Sequence, residues 1–485
     1  MEYEIVIGLE VHSQLLTKSK MFCACNATYQ DAPPNTVICE VCMGMPGVLP
    51  VINKRAVELV ISTGLALGCD IPRDSKFDRK NYPYPDLMKG YQISQYDQPV
   101  AVDGVLEITV DDEARRIGVT RVHLEEDVAK LSHHTGADGE RYSLLDINRA
   151  GVPLMEIVSE PDMRSPDEAR EYLTTLHSIL RYIGASTADM EKGSFRCDAN
   201  ISVRPLGAEE LGSKVEVKNM NSFRSVHRAL AYEATRQVRA VEEGERIVSE
   251  TRGWVEERGV TVSQRTKENA SDYRYFPEPD LPPVVIDSEW VQKVRVTLPE
   301  LPLARKKRFI EQYGLPVYDA ALLTVSKPTA DYFELTLAGS TDKGLAKRVS
   351  NWILGEYTRL MKEENAGIES AKVHPTQLLS LVGMIDNGKL SSNQAKEVLE
   401  KMFGTGGDPE SIAAEVGIVQ VSNATEVEVV VDEVLSSNPE PVQDYLNGKH
   451  QAIGFLMGEV MKITKGQANP KVASQLVREK LEALK

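Results

Sequence analysis

Four of the six cysteines in this 485-residue chain fall between positions 23 and 42: Cys23, Cys25, Cys39 and Cys42. The spacing is C-x-C, thirteen residues, then C-x-x-C. Two short pairs on two tight turns can close a tetrahedral thiolate cage around one Zn²⁺. The alternative for such pairs is two disulfides. The N-terminus runs straight into a strand-like pattern with no secretory leader, which predicts a cytoplasmic protein whose thiols stay reduced. Zinc is therefore the expectation. A four-thiolate site has no open coordination position, so the metal should pin a loop rather than perform chemistry.

The length predicts two to four domains. No apolar stretch is long enough to span a bilayer, so no membrane role is expected. A formal net charge of −16 argues against binding polyanions over the whole surface, and DNA is not an expected partner. One basic region stands out. Residues 445–485 carry Lys449, Lys462, Lys465, Lys471, Arg478, Lys480 and Lys485 against Glu459, Glu479 and Glu482, a balance of +4 that leaves −20 elsewhere.

To about residue 290 the chain reads as strands with some helices, punctuated by Gly and Pro. From about residue 300 it changes to amphipathic helices, with helical spacing over 345–363, 375–403 and 450–485. The run PEPDLPP (277–283) ends the first domain, and GTGGDP (404–409) marks a softer boundary. The expected domains are 1–290, 291–405 and 406–485.

Alternation places particular side chains on shared faces. In 2–12 the odd residues are apolar, so Glu10 and His12 lie together on the other face. In 117–127, Arg121, His123 and Glu125 oppose Val122 and Leu124. In 194–204, Arg196, Asp198, Asn200, Ser202 and Arg204 oppose an apolar row that includes Cys197. In 214–218, Lys214, Glu216 and Lys218 share a face. Such alternation is most often a sheet with one face in water. Solvent faces favour long Lys and Glu, however, and this one holds Asp, Asn, Ser, His and Arg. Oxygen and imidazole groups gathered in this way suit Mg²⁺, with phosphates supplying further oxygens. Cys197 and Cys69 read as core.

The segment KNYPYPDLMKGYQ (80–92) is a stiff, cationic, aromatic loop. It suits either phosphate contacts through Lys80 or Lys89, or simple packing of Tyr on Pro. DINRAGVPLMEIV (146–158) sets Arg149 beside a Gly-Val-Pro turn, and TKENASDYRYFPEPD (266–280) mixes Arg, Tyr and acids. Neither a Walker A sequence nor a Rossmann glycine fingerprint occurs. No serine or cysteine hydrolase motif is evident.

Taken in order, GLEVHSQL, the four cysteines, YPDLMKGYQISQ, HLEED, LDINRAGVPLMEIVSEP, GSFRCDANISVR, KVEVKNMNSF, DYRYFPEPDL and AIGFLMGEVMKITKGQANP resemble the B subunit of the tRNA-dependent amidotransferases over essentially the whole chain. Met88 departs from the proline expected there. The resemblance implies an α+β fold: a cradle-like N-terminal domain on a mostly antiparallel sheet with a zinc-bound loop, then all-α helical and tail domains. It implies ATP-dependent phosphorylation of the side-chain carboxylate of Glu-tRNA(Gln) or Asp-tRNA(Asn), followed by amidation. The ammonia would come from glutamine on a separate amidase A subunit, and a small C subunit would complete a heterotrimer.

A carboxylate attacking a γ-phosphate is anion meeting anion, and it needs cations to hold the groups in line. The expected Mg²⁺ ligands are Glu10, His12, Glu125 and Asp198, with Glu126 as an extra; parity favours Glu125 over Glu126. Lys80, Lys89 and Arg149 are the expected phosphate or carboxylate contacts. Tyr82, Asn200 and Lys218 are expected near the nucleotide. Lys449, Lys462, Lys465 and Lys471 are expected to meet tRNA phosphates. Gly454 and Gly458, four apart on a helix, permit close approach of another helix or of RNA. The competing reading is a non-catalytic, zinc-containing scaffold that only positions tRNA. A free-standing ATP-grasp-like ligase is disfavoured by the missing phosphate-binding glycine loop.

Overall fold

The computed structural model describes residues 2–266, 273–416, 424–464, 468 and 470–484. It divides into two compact units, Met1–Pro302 and Leu303–Lys485.

The alternating segments of the first unit become strands of one eight-stranded sheet. Its spatial order is Val260–Thr266, Glu250–Val255, Val215–Lys218, Phe195–Pro205, Tyr3–Gln14, Pro153–Ser159, Glu113–Glu126 and Ala101–Val110. Every pairing is antiparallel except that of Val215–Lys218 with Glu250–Val255. The apolar face is covered by helices Lys54–Ala66, Pro166–Tyr182 and Phe223–Glu242, whose Leu59, Leu173, Leu176 and Leu230 are buried against Leu9, Leu124 and Ile201. Each helix begins at a side-chain cap: Asn53, Ser165 and Ser222 accept from backbone N–H groups of the first turn. The sheet is therefore closed on one side, and the row of acids, imidazoles and cations is left on the other.

Two features lie outside that sheet. Strands Asp78–Asn81 and Tyr91–Ser94 pair antiparallel, with Lys80 opposite Gln92, and Phe276–Pro277 extends them. The segment read as one stiff loop is thus a hairpin with its loop between. Residues 15–53 form no long regular element. They are tied down instead by the DINRAGV segment. Asn148 Oδ1 accepts from the Val37 N–H at 2.8 Å, and its Nδ2 donates to the Pro33 carbonyl at 2.8 Å. Asp146 Oδ1 accepts from the Asn35 N–H at 3.1 Å, and Asn35 Oδ1 accepts from the Ile147 N–H at 2.7 Å.

In the second unit the named elements are all helices, built on two separate cores. The three long amphipathic segments are each interrupted. Lys343–Trp352 passes through a π-helical turn into Thr358–Glu363. Pro375–Asp386 stops before Ser392–Thr405, which Ser391 and Gln394 start with a capping box. Ala452–Ile463 is followed by Pro470–Ala483. No helix of the described residues is long and apolar enough to cross a membrane.

Candidate active site and cysteine cluster

The strand registers bring the polar side chains into rows. Glu10 lies opposite Asp198 on one side, while His12 lies opposite Arg196 on that side and Glu156 on the other. Glu156 in turn lies opposite His123. These residues, with Glu125, Lys218 and Glu216, floor a cleft of about 390 Å³, within the range of small-molecule sites. Lys80, Tyr82, Gln92, Tyr273 and Tyr275 form its wall.

At its centre, His12 Nε2 lies 3.2 Å from Glu156 Oε2 and 3.6 Å from Glu125 Oε1. His12, Glu125 and Glu156 each offer a ligand atom, all within 4.8 Å of one another. Their environments separate their proton affinities. Burial opposes the charged form of His12, but Glu156 and Glu125 outweigh it and raise the imidazole to about 9. Burial, helped by the nearby Glu156 and Asp127 carboxylates, pushes Glu125 up against the pull of Lys80 and His12. Glu156 is held well below the usual carboxylate range, because His123 and His12 overcome its burial. Burial lowers His123 to about 4. Its Nε2 lies 3.5 Å from Glu156, and its Nδ1 is buried without a partner among the described residues, as is Arg121 Nε.

Around this centre the cations differ in availability. Lys218 Nζ is 2.7 Å from Asp198 and 3.2 Å from Glu216. Arg196 Nη2 is 3.1 Å from Asp127, and Arg196 and Arg149 together depress that buried acid below its ordinary range against the effect of burial. Lys80 makes no ion pair among the described residues. Its ammonium sits 5.0 Å from the Tyr273 ring centroid and 5.9 Å from that of Tyr82. Burial would lower its pKa, but Glu125 outweighs that and keeps it charged. Asn200 Nδ2 donates to Glu10 Oε1 at 2.9 Å.

Four expected contacts lie elsewhere, among them Asn200, which lines a separate pocket beside Glu10. Glu126 faces away from the cleft, where its Oε1 is 2.5 Å from Lys89 Nζ. That pair lines a separate cavity of about 230 Å³ beside Cys23 and Cys42. Arg149 donates to the carbonyls of Val128 and Ala129, at 2.8 and 2.9 Å. Conversely, Glu156, His123 and the Tyr273–Tyr275 wall belong to the cleft although none was among the expected ligands. The one sequence signal for Glu156 is a lone acid inside the apolar run LMEIV.

Cys23, Cys25, Cys39 and Cys42 are free thiols whose four sulfurs lie within 4.8 Å of one another. The Cys39 N–H donates to Cys42 Sγ at 3.1 Å. Cys42 is pulled down to about 4 by hydrogen bonds from Cys23 and the Cys39 backbone and by the nearby Lys20, while burial pushes Cys25 up to about 11. Four sulfurs at one point, with no disulfide, fit a thiolate-bound Zn²⁺.

In the tail, Lys449 pairs with Asp444 at 2.9 Å and Lys462 with Glu459 at 3.2 Å, and both lysine side chains are exposed. Lys465 and the side chain of Lys471 lie outside the described residues. Gly454 and Gly458 are exposed, and a Cβ added at either would meet nothing within 4 Å. Neither glycine therefore makes room for a neighbouring helix among the described residues.

Comparisons with known proteins match segments of both units. Residues 5–292 match the GatB/GatE catalytic domain family, and residues 331–481 match the GatB domain family. Proteins named as the B subunit of aspartyl/glutamyl-tRNA(Asn/Gln) amidotransferase are similar throughout. Those of Dehalococcoides mccartyi (strain CBDB1) and Thermomicrobium roseum are 57% and 56% identical, each over 99% of both chains. That of Carboxydothermus hydrogenoformans is 53% identical over 100% of both. The chain belongs to the family of aspartyl/glutamyl-tRNA(Asn/Gln) amidotransferase B subunits.

Proposed function

We propose that the cleft activates the side-chain carboxylate of Glu-tRNA(Gln), Asp-tRNA(Asn) or both with ATP, then converts it to the amide with ammonia. The observation that carries this reading is the His12–Glu125–Glu156 cluster, with Lys80, which makes no ion pair among the described residues, beside it. The substrate carboxylate attacks the γ-phosphorus, a new P–O bond forms, and the bond to ADP breaks. Ammonia then adds to the acyl carbon and phosphate leaves. The reaction is that of a carbon–nitrogen ligase with glutamine as amido donor. The chain works with an amidase A subunit that releases the ammonia and a small C subunit.

Two carboxylates and an imidazole fit Mg²⁺ once His12 gives up its proton on metal binding, and phosphate oxygens and water would complete the set. His12, Glu125 and Glu156 would hold the ion, with Glu10 and Asp198 flanking. Mg²⁺ supplies charge neutralisation for the two anions that must approach each other. The protein's own cations do the remaining work. Lys80 can meet a phosphate or the substrate carboxylate without first breaking an ion pair. Lys218 is held by Asp198 and Glu216 at the other end of the cleft, where it can shift to an incoming anion. Tyr82, Tyr273 and Tyr275 exclude water, which would otherwise hydrolyse an acyl phosphate. Residues 1–290 form the catalytic domain in this reading, and 406–485 are the tRNA-binding tail, with Lys449, Lys462, Lys465 and Lys471 on phosphates. The four cysteines hold a structural Zn²⁺.

A chain that only positions tRNA has no use for paired acids and imidazoles beside a lysine that packs on tyrosine rings. Amidation with ammonium chloride in place of glutamine, in the reconstituted complex, separates the two. Asp198→Ala should abolish Gln-tRNA formation while leaving tRNA binding intact. Full activity in that variant, with loss on truncating the tail, would leave the scaffold reading standing.

A further inference from the structure

The cysteine cluster packs against a buried ammonium that pairs with no carboxylate among the described residues. Lys20 is 0% exposed. Its Nζ donates to the Val37 carbonyl at 2.9 Å and lies 3.6 Å from Cys42 Sγ. Among the described residues it forms no ion pair with an acid. Other cations of the same unit do: Arg79 with Glu278 at 2.7 Å, and Lys89 with Glu126 at 2.5 Å. Taking an ammonium out of water without an anion is among the most expensive things a fold can do, and buried charges are accordingly found paired. The anion that this fold sets beside Lys20 is sulfur.

The placement ties Lys20 to both halves of the cluster. Its backbone N–H donates to the Cys25 carbonyl at 2.9 Å, in the first cysteine pair. Its side chain reaches Cys42, in the second. Gly151, at φ +81°, closes over both: a Cβ there would lie 3.5 Å from Cys42 Cβ and 3.5 Å from Lys20 Cδ. Four thiolates around one divalent ion carry excess negative charge, which a single buried ammonium would partly offset.

We infer that Lys20 is the counter-cation of the four-cysteine metal centre, offsetting its negative charge and fixing Cys42 by a hydrogen bond to its sulfur. This rests on the reading of the four cysteines as a Zn²⁺ site. Lys20 is a positioning residue: it does not ligate the metal, and it acts through Cys42. Groups of this kind outside the ligand shell govern how tightly the ligands hold their metal.

The test uses the full-length chain loaded with Zn²⁺ and titrated with a coloured chelator, with cobalt-substituted protein followed by its sulfur-to-metal absorption band. Lys20→Met removes the charge at similar length. Lys20→Gln removes the charge but keeps a donor for Val37, and it carries the comparison if the Met variant does not fold. Lys20→Arg keeps the charge. Both neutral variants should bind Zn²⁺ about 10–100-fold more weakly and shift the cobalt band, while Lys20→Arg stays near wild type. Wild-type affinity in a folded neutral variant would overturn the inference, as would an Arg variant as weak as the neutral ones. If wild type itself takes up no stoichiometric zinc, the metal reading fails first, and the role of Lys20 with it.

Discussion

His12 Nε2 and Glu156 Oε2 meet at 3.2 Å across the pairing of Tyr3–Gln14 with Pro153–Ser159. That contact places a carboxylate from a fully packed strand at the centre of the cleft, together with Glu125. If these three side chains are the metal-holding group, Glu156 matters more than Glu126, which is spent on Lys89 behind the cleft. Glu156→Gln should lower ATP-dependent activation of the charged tRNA by about 100-fold or more, since even residues outside the ligand shell cost about 10–100-fold. Glu126→Gln should cost much less. Single-turnover activation by the two variants checks the order; equal losses would show that the cleft has been drawn wrongly.

Asn148 links the DINRAGV segment to the cysteine loop through two hydrogen bonds and is 1% exposed. Asn148→Ala leaves the Val37 N–H and the Pro33 carbonyl without these partners. Unfolding in denaturant should show a loss of about 2 kcal/mol, and zinc should escape faster to a chelator. Unchanged stability together with unchanged metal release would mean that the loop is held by its metal alone.

The helical unit carries its own acid sensitivity. Arg305, 6% exposed, lies 2.6 Å from Asp331 and donates to Glu334 at 3.0 Å, and Arg308 lies 2.6 Å from the other Glu334 oxygen. Burial works against both carboxylates, but Arg308 and Arg305 lower Glu334, and Lys327 and Arg305 lower Asp331. A depressed carboxylate stabilises the fold above its unfolded pKa, near 4.5 for Glu and 3.8 for Asp, and that contribution is lost as pH falls through the lower folded value. Thermal melts of wild type should therefore lose stability below about pH 4.5. In Arg305→Met that slope should flatten, while the protein melts earlier at pH 7. A variant melting like wild type at pH 7 would show that the network contributes nothing.

Much of this cleft is visible in the sequence, and the limits have physical causes. Glu10 with His12, Arg121 with Glu125 and Arg196 with Asp198 could be paired by parity, because their strands bury one face and open the other to the cleft. Pro153–Ser159 is buried on nearly every residue, so its run has no alternation to read, and Glu156 is hidden within it. Lys80 and Lys89 look equivalent in one loop-like segment. Only the pairing of Lys80 with Gln92 and the turn beyond it send one to the cleft and the other to Glu126. The break between 386 and 392 is written in the sequence as the Ser391–Gln394 cap, but the apolar period runs through it. Lys20 gives no local signal at all: its partner sulfur is 22 residues away.

The central claim is that this chain performs the phosphoryl transfer. The most direct measurement supplies the reconstituted complex with γ-labelled ATP, Mg²⁺ and Glu-tRNA(Gln) without any ammonia donor, and follows label transfer to the aminoacyl-tRNA in wild type and in Glu125→Gln. The expected result is label on the charged tRNA with wild type, released as phosphate on adding ammonium chloride, and none above background with the variant. Equal labelling by a Glu125→Gln complex that still binds the tRNA would place the chemistry outside this cleft and contradict the account.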